Sequence, residues 1–263
     1  MLFGLFFGAG NLIFPIYMGS LAGSKTAVAL IGFLITGVGL PLLGVAAIGV
    51  SKSDGLIELS GKVGKGYGLF FTCALYLTIG PFFAIPRCAT VPFTVAIEPM
   101  VKNGANLKVI LAAFSFVFFA AVLAFSLFPG KILTWVGKIL TPLFLVFLGV
   151  LMTVALIKPM GKISGVAPTG DYAQKAFTTG FLDGYNTMDA LAGLAFGIVV
   201  VNVIRGAGVT RPEDVAISTV RSGLFSCLIM AGIYIVVTLM GLSAQKAVRF
   251  SLKARTAAKC SLR

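Results

Sequence analysis

Histidine is absent from this 263-residue chain, and Asp and Glu together number only 8. Without imidazole there is no His-type zinc site, no Ser/His or Cys/His nucleophile pair and no imidazole proton relay, which excludes most hydrolytic enzymes. Cysteine is scarce as well. Cys73, Cys88 and Cys227 fall within apolar runs and Cys260 in the C-terminal stretch, with no CxxC or metal-ligand spacing, so neither a disulfide framework nor a structural metal site is expected. Charged residues of both signs make up 11% of the chain. Lys and Arg reach 21, a formal net charge of +13, yet they are scattered over short polar stretches and the C-terminal tail. With no single basic surface, nucleic acid is not an expected partner.

What the chain does have is hydrophobicity: 58% of its residues are hydrophobic and the mean hydropathy is +1.04, values a soluble domain does not reach. Runs able to cross about 30 Å of hydrocarbon cover Leu2 to Leu21, Ala27 to Val50, Gly68 to Ile97, Leu107 to Phe128, Ile132 to Ile157, Phe177 to Ile204 and Gly223 to Leu242. The fold class is therefore all-α, a polytopic membrane helix bundle of about seven transmembrane helices with the lipid bilayer as partner. The chain starts inside an apolar run, without a basic n-region or a small-residue cleavage site, so no cleaved signal is expected.

Loop charges orient the bundle weakly. With a cytoplasmic start, one side holds Lys52, Lys62, Lys65, Lys131, Lys138, Arg205, Arg211 and Arg221, and the other Lys25, Lys102, Lys108, Lys158, Lys162 and Lys175. The tail after Ser243 conflicts with this. It is basic and acid-free, and an odd number of spans would put it outside. Either the topology is reversed, or the seventh run does not insert normally, or the tail does not belong with the helices before it.

Two stretches break the apolar pattern. The first is Gly8-Ala9-Gly10-Asn11 followed by Pro15, where glycines, Asn and Pro weaken helical continuity and free backbone N–H and C=O groups for a ligand. A Gly-rich packing face is the alternative. The second spans Phe181 to Gly197, where Asp183, Gly184, Tyr185, Asn186, Thr187 and Asp189 cluster. An Asp at the centre of a membrane helix costs about 2.5 to 3.5 kcal/mol, so two of them require a polar cavity or, alternatively, a watery helix start capped by Asp183. The breaks lie in the first and sixth runs, which point opposite ways if the helices alternate. That is the spacing of an inverted five-helix repeat, in which two discontinuous helices meet at the bilayer midplane and their N-termini face a substrate anion. Each N-terminus carries roughly half a positive charge, so a carboxylate, and hence an amino acid, is the natural ligand.

The strings FGLFFGAGNLIFP at Phe3 to Pro15, IGPFFAIPR at Ile79 to Arg87 with Thr90 and Pro92 after it, and GYNTMDALAGLAFGIVV at Gly184 to Val200 resemble the bacterial branched-chain amino acid:cation symporters, the BrnQ-type carriers. Those carriers are placed among transporters of the LeuT-type inverted-repeat fold. The resemblance, with the hydropathy pattern, covers Met1 to about Leu242. It implies secondary active transport of leucine, isoleucine and valine by symport with Na+ or H+ across the bacterial plasma membrane, without a cofactor. It divides the chain into one transmembrane domain, residues 1–243, with a first five-helix repeat at 1–157, the start of a second at 177–243, and a basic tail at 244–263 that is foreign to the fold. Family members continue through further helices that complete the second repeat, so the chain is expected to be a truncated or frame-shifted, inactive copy.

By the same resemblance, the backbone of Gly8, Ala9 and Gly10 receives the substrate carboxylate, and Tyr185, Asn186, Thr187 and Asp189 line the opposite wall. The carbonyls of Gly4 and Phe7 with the Asn11 side chain are the cation-binding candidates. Asp189 or Asp183 partners the ammonium or the cation, and Arg87 and Asp183 are gate or anchor residues. Apolar side chains set selectivity, where one methylene is worth about 1 to 3 kcal/mol. Proton coupling would need Asp183 or Asp189, whereas sodium, the ion favoured for the family, needs only oxygen ligands. One charge crossing 100 mV supplies about 2.3 kcal/mol, enough to drive accumulation with a single ion. Tyr76 reads as packing, Glu98 and Lys102 as interfacial, and the RPED string at Arg211 to Asp214 as a helix-capping cytoplasmic loop without chemistry. A structural or channel-like membrane protein without coupled transport is the rival reading.

Overall fold

A chain this apolar has to close its backbone hydrogen bonds within helices, because hydrocarbon offers no water to satisfy them. The computed structural model describes residues 2–51, 53–101, 106–127, 136–158, 167–209 and 211–261, and all regular structure among them is helical. Six helical stretches are long and apolar enough to cross a membrane: Gly10–Val50, Lys65–Met100, Leu107–Ser126, Lys138–Ile157, Tyr172–Gly206 and Pro212–Ala244. The first of these contains two of the expected runs, because the chain reverses at the turn Gly23–Lys25, where Gly23 takes φ 51°. The molecule is thus a multi-pass helical membrane protein. Lys52, Lys102, Lys131 and Lys162, counted above for orientation or as interfacial, lie outside the described residues, as does the start of the fifth expected run at 132–135.

In chain order the helices are α1 (Leu2–Phe6), α2 (Ala9–Ala22), α3 (Thr26–Leu34), α4 (Leu40–Val50), α5 (Leu56–Gly61), α6 (Lys65–Leu77), α7 (Ala84–Pro92), α8 (Leu107–Ser126), α9 (Thr141–Ile157), α10 (Tyr172–Tyr185), α11 (Asp189–Gly206) and α12 (Pro212–Ser261). A widened π turn, Ile35–Gly39, joins α3 to α4. Another, Thr78–Phe82, joins α6 to α7 across a kink at Gly80 and Pro81. That interruption lies inside a run the sequence reading treats as continuous. Its cause is the missing N–H of Pro81 beside a flexible glycine.

Contacts along α12 fix the directions of its neighbours. Against α2 the pairs rise together, from Asn11 with Tyr234 to Gly19 with Leu242. Against α3 and α4 they run in opposite order, from Phe33 with Tyr234 through Val38 with Cys227 to Gly49 with Thr219. Alongside these, α10 and α11 follow α3 and α4 in the same direction, Ala29 lying against Gly180, Phe33 against Gly184, Pro41 against Gly193 and Ile48 against Gly197. It follows that α2 and the α10–α11 pair run oppositely, which is what the inverted arrangement of the two breaks requires.

The core sits among α2, α3, α4, α10, α11 and α12, where Met18, Phe33, Met230, Tyr234 and Val237 are almost fully buried. Helices approach closely there because glycines leave room. A Cβ at Gly180 would collide with the Ala29 backbone, and one at Gly32 with the Phe177 carbonyl. The outer helices differ. No residue of α8 is buried, and in α9 only Thr141 and Leu148 are. Phe116, Phe125, Leu143 and Phe147 instead point outward, as lipid-facing side chains do.

Candidate functional site

Both sequence breaks are real interruptions, and they meet. The first falls at Phe7 and Gly8. Helix α1 closes with the Phe7 N–H on the Phe3 carbonyl at 2.9 Å, and Gly8 is extended, at φ −120° and ψ −175°. Helix α2 then begins at Ala9, and the Asn11 side chain turns back so that its Oδ1 accepts the Gly8 N–H at 3.2 Å. One turn later, buried Pro15 has no N–H to offer the Asn11 carbonyl, so α2 is weakened next to its own start.

The second break occupies Asn186, Thr187 and Met188, between α10 and α11. Met188 adopts φ 67° and ψ 12°, the sole non-glycine residue with positive φ among the described residues, and α11 starts at Asp189. Helix α10 begins at Tyr172, so Asp183 lies near its end. The alternative of an N-terminal cap at Asp183 is therefore corrected: the polar residues before Phe177 extend the helix backward, and the Asp183 carboxylate accepts from the Tyr172 hydroxyl three turns away.

The N-terminus of α2 faces the N-terminus of α11. Asn11 Nδ2 donates to Asp189 Oδ2 at 2.6 Å and to Tyr234 Oη at 2.6 Å, and Tyr234 in turn donates to the same Asp189 oxygen at 2.8 Å. All three are buried; Asp189 is 2% exposed. The donors around this carboxylate are an amide and a phenol, both neutral. The Arg87 guanidinium acts on this carboxylate from across the Asn186–Thr187 segment without an ion-pair contact, so Asp189 has its hydrogen bonds but no countercharge in direct contact, an arrangement suited to a cation, an ammonium or a proton.

On the other side of the Asn186–Thr187 segment, Arg87 reaches in from α7. Its Nη1 donates to the Asn186 carbonyl at 2.8 Å, its Cζ sits 5.5 Å from the centre of the Phe14 ring, and a Cβ on Gly10 would come within 3.2 Å of Nη1. Thr187 is buried and its hydroxyl donates to the Gly184 carbonyl at 2.8 Å. Thr36, in the π turn between α3 and α4, donates to the Phe181 carbonyl at 2.7 Å and packs against Gly184, which pins the last turn of α10.

The structure thus gathers Gly10, Asn11, Arg87, Asn186, Thr187 and Asp189 around one junction. Tyr185 is apart from it, with its ring 45% exposed, and Asp183 is engaged with Tyr172. Gly4 and Phe7 line, with Gly8, Leu12, Thr141 and Phe144, an open apolar cavity of about 730 Å³ between α1 and α9, and the Phe7 ring stacks on that of Tyr234, the Asn11 partner, at 6.4 Å. Residue by residue reading missed Tyr234 and Phe14, because an aromatic within an apolar run carries no signal of its own. Tyr76, expected as packing, also donates its hydroxyl to the Ala195 carbonyl at 3.2 Å. Of the RPED string, expected as a loop, Pro212, Glu213 and Asp214 instead form the first turn of α12.

A family profile described as Branched-chain amino acid transport protein matches residues 1–260. The branched-chain amino acid permease BrnQ of Lactobacillus delbrueckii subsp. lactis is 54% identical over 247 residues, 94% of this chain and 55% of the relative. BrnQ of Bacillus subtilis is 44% identical over 92% of this chain and 54% of the relative, and BrnQ of Escherichia coli 42% identical over the same shares. The chain spans about half the length of the curated relatives it matches. No solved structure matches it. With helices, breaks and family profile in agreement over nearly its whole length, the chain belongs to the branched-chain amino acid transport protein family.

Proposed function

We propose that this chain forms the substrate- and cation-binding half of a secondary active transporter for leucine, isoleucine and valine, in a LeuT-type inverted-repeat architecture. The observation that carries the reading is the buried Asp189 carboxylate, held by Asn11 and Tyr234 where two helix N-termini meet. A zwitterion suits this junction. Its carboxylate is attracted to the positive ends of α2 and α11, and the cation that accompanies it, Na+ or H+, gives Asp189 a countercharge in direct contact. Asn11 fits either ion, since its amide can turn an oxygen toward sodium or a donor toward a protonated partner. Sodium is the ion we favour, because oxygen ligands suffice for it. The surrounding Phe and Leu side chains give the apolar selectivity that branched aliphatic substrates need. The names of the relatives, permeases of branched-chain amino acids, support a transporter and not an enzyme. A single continuous domain at 1–243, with repeats divided near residues 157 and 177, accommodates this reading.

The decisive measurement is equilibrium binding of radiolabelled leucine to the chain in lipid nanodiscs. Saturable binding, competed by isoleucine and valine but not by lysine, and strengthened by Na+ at constant ionic strength, is expected. Binding that never saturates would favour a channel-like protein instead. The 263-residue polypeptide alone is expected to bind without accumulating leucine in vesicles, because the cavity between α1 and α9 lies open on one side.

A further inference from the structure

Arg87 is more than the end anchor or gate its sequence position suggests. A guanidinium offers five N–H donors, and the contacts recorded for this one are the Asn186 carbonyl and the face of Phe14, both neutral. Among the described residues the ion pair in direct contact is formed elsewhere, by Arg205 and Asp54 at 2.8 Å; Arg87 acts on the Asp189 carboxylate through space without touching it, so its donors are open to a second carboxylate. Its position is also electrostatically demanding. Nη1 lies against the first turn of α2 at Gly10, which carries the positive end of that helix, and α11 starts on the far side of the same three-residue segment. The Asn186 carbonyl, at the negative end of α10, and the Asp189 carboxylate, itself engaged by Asn11 and Tyr234, offset part of this positive charge.

The amides of α2 cannot serve an anion alone. The Gly8 N–H is already taken by Asn11 Oδ1, which leaves the turn short of one donor where a carboxylate would settle. Arg87 stands beside that gap with planar paired donors, half-buried and therefore reachable. The glycine at position 10 is what lets it stand there, since any Cβ would press on Nη1.

We infer that Arg87 binds the substrate carboxylate at the first turn of α2, and thereby restricts the site to α-amino acids over the matching amides and amines. The inference rests on the amino acid reading proposed above and goes beyond it by naming the charged partner of the carboxylate. A merely structural Arg87, capping α10 through Asn186, would leave ligand choice untouched.

Competition binding in nanodiscs separates the two. The wild-type chain is expected to hold leucine about 30-fold or more tightly than leucinamide or 3-methylbutylamine, the worth of a charge-assisted carboxylate pair. In Arg87→Gln that ratio should fall to about threefold or less, and Arg87→Lys should recover it in part, as a point charge without the planar fork. Modification of the unaltered chain by phenylglyoxal, located by mass spectrometry, checks the same contact without a variant: leucine should shield Arg87 and leucinamide should not. Preference for leucine intact in Arg87→Gln, or Arg87 modified equally with and without leucine, overturns this inference and leaves the transporter reading standing. A wild-type chain that binds no leucine overturns both.

Discussion

The two broken helices achieve the same end by different means. The first break secures itself: Asn11, three residues into α2, satisfies the Gly8 amide with its oxygen and reaches Asp189 and Tyr234 with its nitrogen. The second is secured by its neighbours. Arg87 of α7 holds the Asn186 carbonyl, Thr36 of the π turn after α3 holds the end of α10, and Met188 sits in a left-handed conformation with no glycine to ease it. A break that satisfies itself can persist while adjacent helices shift. A break held from outside changes when α7 or that π turn moves. The α1–α2 junction is therefore the fixed side of the site and the α10–α11 junction the side tied to the rest of the bundle.

Removing the self-securing residue is the largest blow to that contrast. Asn11→Ala leaves the Gly8 amide without its side-chain partner and takes one hydrogen bond each from the buried Asp189 carboxylate and the buried Tyr234 hydroxyl, which keep only each other, at about 1 to 3 kcal/mol per group. Leucine binding about 100-fold weaker and a clearly lowered unfolding temperature are expected. An unchanged pair of values would mean that the first break does not depend on its own cap. Tyr234→Phe comes next. It removes one hydroxyl from Asp189 while Asn11 stays, and a hydrogen bond to a charged group is worth about 1.5 to 3 kcal/mol. The Na+ dependence of leucine binding should shift more than folding does, and titrations of binding against Na+ in the two proteins will tell.

Much of this was readable in the letters. The seven apolar runs are helical over most of their described residues, and Gly8, Asn11 and the Asp183 to Asp189 cluster locate both breaks, because a glycine or a carboxylate is anomalous in hydrocarbon wherever it occurs. What stayed hidden depends on packing between distant segments. Tyr234 looks like any aromatic until α12 is laid along α2, and Arg87 looks like an end anchor until the kink at Gly80 and Pro81 carries α7 toward Asn186.

Backbone strain distinguishes the breaks further. Met188 pays for its left-handed conformation by about 1 kcal/mol, which a glycine would relieve. Met188→Gly should therefore raise the unfolding temperature slightly and leave leucine affinity as it was, whereas Met188→Val should lower stability, since a branched Cβ suits that conformation worst. If glycine destabilises instead, the methionine side chain and not its backbone is what holds the second break.

The smallest effect on folding belongs to the most conspicuous residue of the first break. Gly8 is extended, a conformation open to any residue, and a Cβ there would meet Asn11 Oδ1 at an ordinary 3.8 Å. Gly8→Ala should change stability by no more than about 0.5 kcal/mol. Folding thus gives no reason for a glycine at this point, and the reason left is approach. A substrate drawn to the start of α2 needs bare backbone, and one methyl group at the edge of that space displaces it. A binding loss of about tenfold with an unchanged unfolding temperature is the expected signature, since displacement from a well-oriented contact costs about 1.4 kcal/mol. Equal affinity in Gly8→Ala would place the ligand nearer Gly10 and Arg87, and would shift the weight of the site from the first break toward the second.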